Sequence, residues 1–86
     1  MQIEGAVIKE QGQTFAVVVV KRHITESQHE AERATRSFGR YFPGMPIVLM
    51  SQDSRGRPTY FGRRDIANFL ARMPISAIPW KRYSFS

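Results

Sequence analysis

The chain has 86 residues, a formal net charge of +6 and no cysteine. A chain of this size buries about two-thirds of its extended-chain surface, which suits one domain, residues 1–86, with a modest core. The missing cysteine excludes disulfides, thiolate catalysis and Cys-ligated zinc, and an apolar fraction of 42% argues against global disorder.

Ile3–Glu10 reads as a first strand, with Ile3 and Val7 on one side and Ala6 and Ile8 on the other. Gln11-Gly12 supplies a hairpin turn, because glycine accepts a positive φ without strain. Thr14–Arg22 returns as strand 2. Its run Phe15-Ala-Val-Val-Val-Val20 is apolar on both faces, which predicts a central strand covered on both sides.

Thr25-Glu-Ser-Gln28 and Ser27-Gln-His-Glu30 both have the capping-box pattern, and one of them starts helix 1 over residues 27–42. Ala31, Ala34, Phe38 and Phe42 form its apolar stripe, with Phe38 expected as a buried anchor. Glutamates come early in this helix and arginines late, as the helix dipole favours. Pro43-Gly44 ends it. Pro46–Ser51 is strand 3, again apolar on both faces. A strand–helix–strand unit of this length implies a parallel pair joined by a right-handed crossover.

Asp53-Ser-Arg-Gly56 is a turn leading back into Pro58–Phe61, an antiparallel strand 4 whose proline marks a sheet edge. Gly62-Arg-Arg-Asp65 opens helix 2, with Ile66, Phe69, Leu70 and Met73 facing inward until Pro74. The tail, Ile75–Ser86, holds Ile75, Ile78, Trp80, Tyr83 and Phe85. It is too apolar to hang free and is expected to cover the sheet face that the helices leave bare.

The fold class that follows is α+β, or α/β. It has a ββαββα order, a four-stranded mixed sheet with central parallel strands 2 and 3, two helices and a packed C-terminal tail. The stretch with Met45-Pro46, an antiparallel hairpin and a closing helix resembles the C-terminal half of a thioredoxin-like domain in outline. The redox cysteines of that family are missing here, so its activity does not carry over. Met1-Gln-Ile-Glu-Gly5 lacks the basic and apolar regions of a secretory signal. No apolar run approaches the roughly 20 residues of a membrane helix. A cytoplasmic location without a membrane partner is expected.

Charge is uneven. Residues 1–50 carry six Lys/Arg against five Asp/Glu, and residues 51–86 carry seven against two. Ten of the thirteen basic residues are arginine, whose planar fork suits phosphate. Two basic surfaces follow. On helix 1, His29, Arg33, Arg36 and Arg40 lie opposite the apolar stripe, unless Glu32 pairs with Arg36. A second surface joins Arg55 and Arg57 to Arg63 and Arg64 with Tyr60 between them, the mix of charge and ring that single-strand binding uses.

His23, Gln52 and Asp53 form a third candidate, a ligand site at the carboxyl ends of strands 2 and 3. The simpler reading is that Asp53 only shapes its turn. No catalytic residue, cofactor or metal site is assigned, since the two histidines do not stand at the spacing of a two-His helix motif. Strands 1 and 4 are open edges only mildly protected by Lys9 and Pro58. That edge exposure and the surplus of apolar strand faces rank a non-enzymatic interaction or self-assembling domain, with a homodimer or a protein partner, first. RNA or DNA binding through the arginines ranks second, and a small-anion or enzymatic site third.

Overall fold

A computed structural model describes residues 1–10 and 12–85. Gln11 of the expected hairpin turn and Ser86 of the tail lie outside the described residues. The elements run β1 (Gln2–Glu10), β2 (Gln13–Val19), α1 (Arg22–Glu26), α2 (Gln28–Phe38), β3 (Ile47–Gln52), β4 (Pro58–Phe61), α3 (Arg64–Ala71), a 3-10 turn (Ile75–Ala77) and β5 (Lys81–Ser84). This is a small mixed α+β fold around a five-stranded sheet of order β4-β3-β2-β1-β5.

The parallel pair stands in the interior of the sheet, as the two-faced apolar runs require. Ala16–Val19 of β2 lie beside Ile47–Met50 of β3. Alternation sends their side chains to two cores. Phe15, Val17, Val48 and Met50 meet Ile66 and Leu70 of α3 on one face, together with Ile78. Ala16, Val18, Ile47 and Leu49 meet Ala31 of α2 and Ile24 of α1 on the other. The helices therefore cover opposite faces.

Three expectations are corrected. First, residues 20–22 do not continue strand 2. Val20 still donates its N–H to Met50 O at 2.9 Å, but α1 begins at Arg22. Ile24 reaches the core from it, and Arg22 pairs with Glu26 one turn on. The single expected helix is thus two. Ser27 is extended between them and caps α2, its Oγ accepting the Glu30 N–H at 3.3 Å. Second, α2 stops at Phe38. Phe42 lies beyond it and is the buried aromatic, 4% exposed, while Phe38 is half-buried.

Third, the sheet has five strands rather than four. The tail does not lie on one bare face. It supplies Ile78 and Trp80 to the α3 side. It then runs as β5 antiparallel to Gln2–Gly5 of β1 and supplies Tyr83 and Phe85 to the α2 side. The indole N–H of Trp80 donates to Ile75 O at 3.0 Å, which closes the 3-10 turn beneath it. Met1 N and Phe85 O (3.0 Å), and Phe85 N and Met1 O (2.9 Å), extend the ladder. Among the described residues the outer strands are β4 and β5. No helix among the described residues is long and apolar enough to cross a membrane.

Gly5 is where three strands meet, paired with Val18 on one side and Lys81 on the other. A Cβ there would lie 2.4 Å from the carbonyl oxygen of Val17. The clash is with backbone, which cannot swing aside. Gly5→Ala is expected to cost about 1–3 kcal/mol, the usual range for overpacking. Denaturant unfolding measures this; a change within about 0.5 kcal/mol, the range of ordinary surface substitutions, would show that the sheet yields there.

Candidate nucleic-acid interface

Strand direction decides which charged segments share an end of the sheet. β2 and β3 run the same way, and β5, antiparallel to β1, runs with them. Their carboxyl ends, and the start of antiparallel β4, therefore line one end. Lys21, Arg22 and His23 follow β2 there, the Asp53–Arg57 loop follows β3, and Phe85 follows β5. All three of Lys21, Arg22 and His23 are exposed. A hydroxyl relay ties α1 to β3: Thr25 O–H donates to Arg22 O at 3.0 Å, and the buried Ser51 hydroxyl donates to Thr25 Oγ1 at 2.6 Å.

The loop is held from within. Asp53 Oδ1 accepts the backbone N–H groups of Arg55 and Arg57, both at 2.9 Å, and Oδ2 accepts Arg57 Nε at 2.9 Å. Gln52 Nε2 donates to Gly56 O at 2.9 Å. Gly56 takes φ 81°, a conformation that favours glycine. The Arg57 backbone N–H chiefly holds the Asp53 carboxyl below its ordinary value of 3.8; burial opposes it, and the Arg55 N–H and the Arg57 side chain add to the lowering. Gln52 and Asp53 thus spend their polar groups on the loop, while His23 stands exposed on α1. The arrangement aims Arg55 outward from a fixed turn.

Arg63 and Arg64 do not join Arg55 and Arg57. β4 runs between the two pairs and delivers Arg63 and Arg64 to the opposite end of the sheet. There Arg63 grips Asp65 through Nε (3.2 Å) and Nη2 (2.7 Å) and reaches Gln13 Oε1 from Nη1 at 3.4 Å. The Arg63 guanidinium lowers the Asp65 carboxyl below 3.8. Arg64 opens α3 and is exposed. Tyr60 cannot serve as the exposed ring between them. It packs into the α3-side core, its hydroxyl is buried without a hydrogen-bond partner, and burial raises its pKa above 10.0. A cavity of about 170 Å³ at that end, lined by Glu10, Gln13, Phe15, Asp65, Ile66 and Phe69, is smaller than the roughly 300 Å³ at which ligand pockets begin.

His29, Arg33, Arg36 and Arg40 are all exposed. Glu32 does not pair with Arg36. The ion pairs among the described residues are Arg22–Glu26, Arg57–Asp53 and Arg63–Asp65, so Arg33, Arg36, Arg40 and Arg55 have no carboxylate partner there.

Sequence reasoning missed one group. Tyr41, Phe42, Tyr83 and Phe85 converge beside Arg40. The Tyr41 and Phe85 ring centroids are 4.6 Å apart, and Phe42 meets Tyr83 edge-on at 5.4 Å. Tyr41, Tyr83 and Phe85 are half-buried, Phe42 buried. The aromatic tail was legible as apolar bulk, but nothing local tied it to residues 40–42.

Among the described residues no three His, Asp or Glu side chains converge as metal ligands. No protein-family description, curated protein or solved structure matches the chain.

Because the folded loop binds the charged form of Asp53, its order is complete above the ordinary carboxylate range and is lost as pH falls through the lowered pKa. The amide resonances of Arg55 and Arg57 are expected to hold their shifts down to that range and to move only below it. A transition centred at or above about pH 4, where a free aspartate titrates, would show that the carboxylate is not held.

Proposed function

We propose that the domain is a non-enzymatic nucleic-acid-binding module that holds phosphates along the end of the sheet formed by α1 and the Asp53–Arg57 loop. One observation carries this reading: Lys21, Arg22, Arg55 and Arg57 belong to segments more than 30 residues apart in sequence that share one sheet end, while the carboxylates of those same segments are already engaged. Glu26 takes Arg22, and Asp53 takes Arg57 and two backbone N–H groups. Lys21 and Arg55 are left to meet an outside anion. Arginine in a fixed loop suits phosphate, because the loop backbone need not be ordered on contact.

The test is fluorescence anisotropy of a labelled oligonucleotide across a salt series. Lys21→Ala with Arg55→Ala is expected to weaken binding for every sequence alike and to flatten the log–log salt slope by about 0.7 per lost contact on a single strand. Arg64→Ala, at the other end of the sheet, serves as the control and leaves the slope unchanged. An oligonucleotide that does not bind, or a slope that ignores Lys21 and Arg55 but follows Arg64, removes this reading.

A second reading, self-association through a sheet edge, has its own observation. β5 pairs only with Gln2–Gly5, so the outer side of β1 beyond Gly5 has no strand beside it. Val7 sits in that stretch and is 38% exposed, the one large apolar side chain besides Met1 to stand out among the described residues. Unpaired strand edges are templates for another chain. Sedimentation equilibrium checks this: a dimer that Val7→Lys abolishes supports edge pairing, and a monomer at all concentrations rejects it.

A further inference from the structure

Building on the nucleic-acid reading, we propose that the strand bound is single, with its bases stacked on the Tyr41–Tyr83–Phe85 surface beside the phosphate-holding end. These rings stand on a buried floor. Phe42 stands nearly perpendicular to Tyr83, at 5.4 Å and 88°, and to Phe85, at 6.0 Å and 82°. Tyr83 and Phe85 are nearly parallel, 16° apart at 6.4 Å, and Tyr41 leans on Phe85 at 43°. The three outer rings pack against this floor and are half-buried, so each keeps some surface open to solvent. Interior packing needs apolar bulk alone. Three aromatic planes held at a surface also offer stacking area at little entropic cost, since an aromatic side chain has only two rotatable angles.

The surroundings suit an anion. Residues 33–52 and 66–86, which supply all four rings, contain no aspartate or glutamate. Arg40 adjoins Tyr41. Lys81 falls on the same face of β5 as Tyr83 and Phe85 by strand alternation. The nearest acid by register is Glu4, opposite Arg82 on the other face.

The distances join the two parts. Phe85 lies at the same sheet end as the Arg55 loop, and β5 stands three strand spacings from β3, about 14 Å. A short run of backbone crosses that gap, phosphates passing Lys21 between the loop and the rings. A duplex keeps its base faces stacked inside the helix and cannot offer them. A single strand can, and rings accept any base because each has a π-face.

The experiment compares single strands of roughly 12 nucleotides, within known site sizes, as oligo-uridine and as oligo-thymidine, with a duplex of equal length. It uses the whole protein, Tyr41→Leu and Tyr41→Phe, and thermal melts establish that each variant is folded. The single strands are expected to bind more tightly than the duplex. Tyr41→Leu should lower single-strand affinity by about fivefold to a hundredfold, the worth of one base–aromatic stack, and leave duplex binding alone. Tyr41→Phe should retain binding. If single strand and duplex bind equally, the stacking surface is rejected while phosphate binding stands; a Tyr41→Leu variant that melts like the parent and binds like it also rejects it. If neither nucleic acid binds, both readings fall together. Should Tyr41→Leu unfold, the strand preference of the parent and the Tyr41→Phe result decide.

Discussion

Two adjacent parallel strands, each apolar on both faces, must be kept from water on two sides at once. Val17, Val18, Val48 and Leu49 have no measurable exposure, and burying each such side chain contributes about 1.5–3 kcal/mol. Alternation divides these residues between two layers, so no single helix can cover them. The crossover helices α1 and α2 settle on one face and α3 on the other because the strands demand it. This need also explains the tail. A sheet covered on both faces still has open flanks, and one segment that rounds the β1 edge supplies Ile78 and Trp80 to one core and Tyr83 and Phe85 to the other.

Pairing of β5 with β1 then follows from the backbone. A segment carried past a sheet edge under its own apolar side chains brings N–H and C=O groups to the unpaired ladder, and desolvated backbone groups must find partners. At Gly5, which also pairs with Lys81 of β5, a Cβ would run into the Val17 carbonyl of β2, so that position has no room for a side chain. β5 thereby covers the Gln2–Gly5 part of the β1 edge and presents a four-residue edge in its place, and short edges are weaker templates for aggregation.

The charges divide by how they are used. Arg22, Arg57 and Arg63 are held by carboxylates close to them in sequence. These exposed pairs contribute little stability, but they orient loops and helix starts. Arg33, Arg36, Arg40, Arg55 and Arg64 have no such anchor among the described residues. Arg64 in particular sits at the amino end of α3, where a cation opposes the helix dipole. Stability of the helix does not account for it there.

Local chemistry made several features legible in the sequence. Two-faced apolar runs declared β2 and β3 central and parallel, because no other position hides both faces. Ser27 three residues ahead of Glu30 declared a helix start, and Asp53 with Gly56 declared a turn, since each motif closes its own hydrogen bonds within a few residues. The boundary between α1 and α2 was less legible, because both Thr25 and Ser27 fit a cap and only the contact of Ile24 and Thr25 with the sheet separates them. β5 could not be read at all: Lys81-Arg82-Tyr83-Ser84 has a weak strand pattern of its own and becomes a strand by meeting β1. The candidate site shows the same division. The individual arginines and aromatics were visible as residue types, but their grouping was not. Strand direction sends Arg55 and Arg63 to opposite ends although they are eight residues apart, and chain return brings Tyr41 against Phe85 although they are 44 apart. Sequence distance carries no information about such neighbours, because the burial of a shared core, and not the chain between them, sets where they meet.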